Sequence, residues 1–237
     1  MGLDLEQIIV QERAGILAEM RTFWPFIAMN DVREAMETPT TLRSSAPLEL
    51  QPFEGGYVQT CRAHNYKSFW AATDDKQYRK HYGAFLKAHH GLDVANSAAA
   101  GAFKRYHVDH MFNKARAKSL GGSEPLAETL NELGARYRYI RMFLIEPGAN
   151  MSHGSVYEGP LSQSERYRHV RGSRMLDLVN YMKFCGIKAP RRNAPLDPWQ
   201  LGWLSRIAPA LGTTPVKLEG EIQELVAKAY SGWAARP

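Results

Sequence analysis

The pair Gly55-Gly56 stands between two short runs in which polar and apolar residues alternate, Leu48-Glu49-Leu50 and Tyr57-Val58-Gln59-Thr60-Cys61. Adjacent glycines supply the backbone freedom that a tight turn demands, and a period of two puts one face of each strand on a core. The stretch predicts a β-hairpin and so commits the chain to antiparallel sheet. A further strand is expected at 137–145, where aromatic and β-branched residues are separated by Arg138 and Arg141. Residues 103–112 read as a strand, or a strand running into a turn. On a strand, His107 and Asp109 point one way and His110 the other.

Around these strands the spacing is helical. Residues 4–24 set Leu5, Ile8, Ile9, Ala14, Ile16, Leu17 and Met20 on one broad face, and Pro25 ends the run. Asn30 caps a short helix that stops at Pro39. Residues 74–90 put Tyr78, Tyr82, Phe85, Leu86 and His89 on one face, with Lys76, Arg79, Lys80, His81 and Lys87 on the rest. Such a helix suits a phosphate backbone, and it equally suits plain solvent, the better expectation for most of those residues. Residues 96–101 read as a loop, 146–149 as a turn with 150–154 following it, 113–120 and 125–133 as short helices, and 164–184 as a long helix rich in arginine. Pro190, Pro195 and Pro198 mark a linker before two last helices, 199–211 and 215–230, with Thr214 as cap and Pro215 at the first helical position.

The expected fold is α+β: a small, mostly antiparallel sheet packed by helices, with a helical C-terminal element. Residues 1–188 form the main domain, 189–198 the proline-rich linker and 199–237 a helical hairpin. At 237 residues the chain can bury a core without staples. Its net charge of +6 favours a polyanionic partner such as nucleic acid. Cys61 and Cys185, two isolated cysteines, give neither a disulfide framework nor a thiolate zinc site, and they fit the reducing cytoplasm. No signal peptide or apolar run of about 20 residues points to a membrane.

The densest polar constellation is Tyr106-His107-Val108-Asp109-His110-Met111-Phe112-Asn113, with Lys104, Arg105, Lys114 and Arg116 beside it. His89-His90 with Asp93 is its nearest rival. Asp109-His110, then Gly121-Gly122, then Asn150 with His153 and His169, resembles the core of HNH, or ββα-metal, nucleases over 103–169. In that family a strand ends in an acid-His or His-His pair. A loop crosses over, a second strand carries an Asn, and a helix supplies a further metal ligand. The resemblance implies a divalent cation, Mg or Zn, held by Asp109 and by His153 or His169. It implies His110 as general base, Asn150 as its orienter (Asn113 is the other choice), and Arg116, Arg136, Arg138 and Arg141 against phosphate oxygens. Such residue types serve phosphodiester cleavage because a neutral imidazole takes a proton from water near pH 7 while a cation neutralises the leaving oxygen.

Each residue also has a plainer role. Asp109 can cap a following helix, His107 can bond to backbone, and Asn150 can sit in a turn. The rival function is a non-catalytic binding protein, an inhibitor or accessory factor of a bacterial mobile element. A small-molecule enzyme with His110 as base is the third possibility. The two C-terminal helices resemble a helix-turn-helix, but Glu219, Glu221 and Glu224 on the second would be repelled by phosphates. A hairpin used for packing or for a protein partner, anchored by Trp199, Trp203 and Trp233, is the expectation.

Overall fold

The computed structural model describes residues 4–20, 28–29, 48–61, 65–95, 98–111, 139–156, 178–189 and 195–234. Its strands are β1 (Ala28–Met29), β2 (Leu48–Phe53), β3 (Gly56–Cys61), β4 (Tyr66–Ala72), β5 (His107–His110) and β6 (Tyr139–Ile145). They form an antiparallel sheet in the order β1-β6-β4-β3-β2, and β5 pairs with the C-terminal part of β6. The helices are α1 (Leu5–Met20), α2 (Tyr78–His90), α3 (Ala99–Lys104), α4 (Pro147–Val156), α5 (Leu178–Phe184), α6 (Pro198–Ile207) and α7 (Pro215–Ala234). The fold is α+β, as expected.

The hairpin closes with Phe53 opposite Gly56. Gly55 has φ +74°, a left-handed value that suits glycine. Gly56 is required for a different reason: a Cβ there would lie 1.7 Å from the carbonyl oxygen of Trp70 on β4. The glycine pair therefore serves both the turn and the close approach of a third strand. That third strand, β4, was not expected from the sequence. It is central and covered on both sides, so the polar-apolar alternation that marks a half-exposed strand is missing.

The chain divides into two compact units, Met1–Phe112 with Arg136–Pro147, and Asn113–Ala135 with Gly148–Pro237. In the first, alternate strand residues go to different surroundings. Val58, Phe69, Ala71, Met142 and Leu144 join Tyr82, Phe85 and Leu86 of α2 and Leu5, Ile8 and Ile9 of α1 in an apolar core. Gln59, Ser68, Trp70 and Arg141 alternate with them and meet Glu12 and Glu19 of α1 in a buried polar cluster. The buried stripe of α1 runs 5, 8, 9, 12, 15, 16 and 19, while Ala14, expected inside, is exposed. A strict three-four spacing from Leu5 passes through both glutamates, and that spacing is what a reading by hydrophobic residues alone overlooks.

Gly15 lies where α1 meets β4. A Cβ on it would fall 2.1 Å from a ring carbon of Tyr66, whose hydroxyl donates to Glu19 and holds the ring in place. Gly15→Ala is expected to overpack this contact and to lower stability by about 1–3 kcal/mol. An unchanged urea midpoint would show that the helix can shift away.

The second unit is stitched through the short segment 187–189. Ile187 O accepts from His153 Nε2 at 2.6 Å, Ala189 N donates to Ser152 Oγ at 2.9 Å, and Lys188 O accepts from Gln200 Nε2 at 3.1 Å. Asp197 and Gln200 form a capping box at the start of α6. Residues 208–211 turn in a 3₁₀ helix, Gly212 takes φ +65°, and α7 follows with Thr214 Oγ1 accepting from Lys217 N at 3.3 Å. The helical hairpin and its cap are as expected, with Ala208 wholly buried. Two expected irregular stretches are helical instead. Residues 99–104 form α3 because alanine favours helix more strongly than small size favours a loop, and Gly101 is exposed and unconstrained. Residues 147–156 form α4 with Pro147 at its first position, where a missing N–H costs nothing.

Candidate functional site

Asp109 and His110 end β5, where Val108 and Met111 are buried and anchor the strand. Pairing with β6 sets His107 against Ile145 and His110 against Met142. Asp109 Oδ1 accepts from the backbone N–H of His110 at 2.8 Å, so the carboxylate is oriented by its own strand. The half-buried His110 ring lies 4.9 Å from the ring of Tyr78 on α2. Both residues belong to the first unit. Asn150 and His153 sit on α4 and belong to the second. His153 is fully buried and donates through Nε2 to Ile187 O at 2.6 Å. His169, Arg116, Arg136 and Arg138 lie outside the described residues, as do Asn113 and Gly121-Gly122.

Arg141 corrects an expectation. It is only 1% exposed, so it is not an arginine awaiting phosphate. Its Nη2 donates to Gln59 Oε1 at 2.7 Å, its guanidinium lies 4.9 Å from the centre of the Trp70 ring, and Nη1 stands 3.9 Å from Glu19 Oε2. Trp70 Nε1 donates to the same Gln59 oxygen at 2.9 Å. The cause is register: Arg141 faces Trp70 on β4, and β6 is flanked by strands rather than by solvent. Nearby, Glu12 accepts from Ser68 Oγ at 3.1 Å. Burial pushes its carboxyl up to about 7, against the opposing pull of Arg141, Ser68 and Arg13.

The rival cluster at the end of α2 does not assemble. Asp93 is paired with Lys87 at 2.7 Å, and Lys67 Nζ lies 3.2 Å from His89 Nδ1. Burial, aided by the charge of Lys67, lowers both imidazoles, His90 to about 4. An ammonium in that position opposes a second cation. Among the described residues no three His, Cys, Asp or Glu side chains come together as a metal site.

Two features were not anticipated. Asp75 Oδ2 accepts from His81 Nδ1 at 2.7 Å beside the β2–β3 turn, and a Cβ on Gly55 would meet that histidine at 2.2 Å. The pair pins the turn to α2. The other is a groove of about 660 Å³ along the basic side of α2, walled by Val94 and Phe103. The run of lysines signalled its charge, but nothing in the sequence brought residues 94 and 103 to face them. Comparisons with family models, with curated proteins and with solved structures give no match to this chain.

Proposed function

We propose that the chain acts on nucleic acid as a metal-dependent nuclease, or as a protein derived from one, with His110 as general base. The observation that carries this reading is the order of elements: a strand ending in Asp109-His110, an antiparallel partner strand, and then a helix bearing Asn150 and His153. Among the described residues β5, β6 and α4 come in that order, which supports the resemblance, with residues 112–138 lying between the two strands. Asp109 has the donor type a hard cation takes, and a backbone N–H orients it as metal-ligating carboxylates are oriented. His153 bonds to a carbonyl, as ligating histidines and structural ones both do. A bound cation would neutralise the charge on the leaving oxygen. The chain's own part is to hold the His110 ring against Tyr78 and to take a proton from water.

Supercoiled plasmid incubated with Mg²⁺, Mn²⁺ or Zn²⁺ is expected to be nicked, and chelator to stop it. His110→Ala should lower the rate by about 10²–10⁴-fold, the usual range for removing a general base. Nicking that persists in the variant, or none with any metal, would overturn the reading.

One observation favours a second reading, a non-catalytic binding protein. Lys76, just before α2, and Lys80, on its first turn, are exposed and have no acidic partner among the described residues. On the C-terminal hairpin Leu201 and Val216 are exposed, which supports a protein partner there, while Trp203 is stacked on Tyr181 at 5.7 Å and serves packing. Under either reading we place the protein in the cytoplasm, supported by two cysteines that are not joined in a disulfide. Among the described residues no helix is long and apolar enough to cross a membrane.

A further inference from the structure

The groove beside α2 has a wall that is already built. Arg79, which the helix periodicity would leave to solvent, is turned inward: its guanidinium lies 4.5 Å from the centre of the Phe103 ring. It donates to the carbonyls of Phe103 at 2.9 Å and Tyr106 at 3.0 Å. One arginine thus ties α3 and the start of β5 to α2. Lys76, Lys80 and Lys87 stand on the rim, exposed. Lys80 and Lys87 are two helical turns apart, about 10 Å along the axis. The helix residues between them are small at the groove, Gly83 and Ala84, so the floor is recessed and apolar. The one acid in the lining, Asp93, pairs with Lys87 at 2.7 Å, so Lys76 and Lys80 are the rim lysines without an acidic partner among the described residues.

We propose that this groove is a track for a single strand of nucleic acid, with phosphates along the lysine rim and base edges over the apolar floor. Cations spaced along a line, rather than converging on a point, fit a polymer of phosphodiesters better than one small anion. An apolar floor offers a contact to the unpaired bases of one strand that the inward-turned bases of a duplex cannot make. DNA and RNA strands share the backbone chemistry and are separate arms of the test. The site is distinct from Asp109 and His110, so strand binding and strand cleavage can fail independently.

The experiment uses the full chain carrying His110→Ala, in chelator, so that no cleavage contributes. Fluorescence anisotropy follows a labelled strand of about ten nucleotides, as DNA and as RNA, between about 50 and 200 mM salt. Lys76→Glu with Lys80→Glu is expected to weaken binding by about tenfold or more. It should also reduce the slope of log affinity against log salt by about 1.4, at roughly 0.7 for each single-strand phosphate that a lysine no longer neutralises. A matched pair of reversals elsewhere, Arg206→Glu with Lys217→Glu, removes the same net charge from exposed positions and should change affinity by no more than about twofold. Equal weakening by both pairs would reduce the effect to overall charge and overturn the assignment. So would undiminished binding in the Lys76 and Lys80 variant, preference for duplex over strand, or displacement by inorganic phosphate at concentrations comparable to the strand's. Circular dichroism of each variant confirms that the comparison is between folded proteins.

Discussion

Replacing Arg141 with methionine is expected to destabilise the protein by about 3–5 kcal/mol, the cost of leaving a buried charge without its partner. The guanidinium is 1% exposed and Glu19 is fully buried, so neither can turn to water when the other is removed. Their separation of 3.9 Å is loose, and among the described residues Arg141 Nε and Nη1 have no hydrogen-bond acceptor. The pair therefore adds little beyond offsetting its own desolvation. Its removal is costly because of what remains: a carboxylate that keeps the Tyr66 hydroxyl but not the guanidinium, and a Gln59 oxygen that keeps Trp70 but not its charged donor. Urea unfolding with hydrogen exchange of the β4 and β6 amides measures the effect where it arises. Glu19→Gln in the same background should restore part of the stability, since the second substitution removes the stranded charge. A single variant within about 1 kcal/mol of the parent would show that Glu19 takes up a proton at little cost and that the cation is dispensable.

Glu12 should make stability fall as pH rises toward neutrality, the reverse of the usual carboxylate effect. Its folded-state value is about 7 against an ordinary 4.5, with burial the largest cause. Between those values the folded chain holds a proton that the unfolded chain has released, so folding is linked to proton uptake. Stability is lost as pH climbs through the window, and the loss is complete above about 7. At about 1.4 kcal/mol per pH unit the whole effect is on the order of 3 kcal/mol. Glu12→Gln keeps an oxygen for Ser68 Oγ and cannot ionise. It should be more stable than the parent by about that amount near pH 8 and indistinguishable from it near pH 4. Because the charge of Arg141 is the largest influence holding the carboxyl down, Arg141→Met should move the window upward. A difference between parent and Glu12→Gln that does not vary with pH would mean that water reaches this carboxyl in solution.

The local elements were legible because their signals are local. Gly55-Gly56 between alternating runs forced the hairpin, the apolar spacing of Leu5, Ile8 and Ile9 predicted α1, and Thr214-Pro215 set the start of α7. Asp109-His110 stood out as polar residues at a strand end, and they are at that strand end. What tertiary structure alone decided is where charge is buried and which surfaces meet. Arg141 reads as a surface arginine until β6 is known to pair with β4 and to set it against Trp70. Glu12 and Glu19 read as solvent-facing until α1 is laid against Tyr66 and Ser68. β4 carries no period-two pattern because both its sides are covered, a property of its neighbours and not of its own residues. The groove needs Arg79 to turn from solvent onto Phe103, a contact between residues 24 apart that helix periodicity cannot foresee. Periodicity and turn chemistry belong to the chain. Desolvation, and the cation that compensates a buried carboxylate, belong to the packed state, where the energy of each charge depends on partners that only the fold supplies.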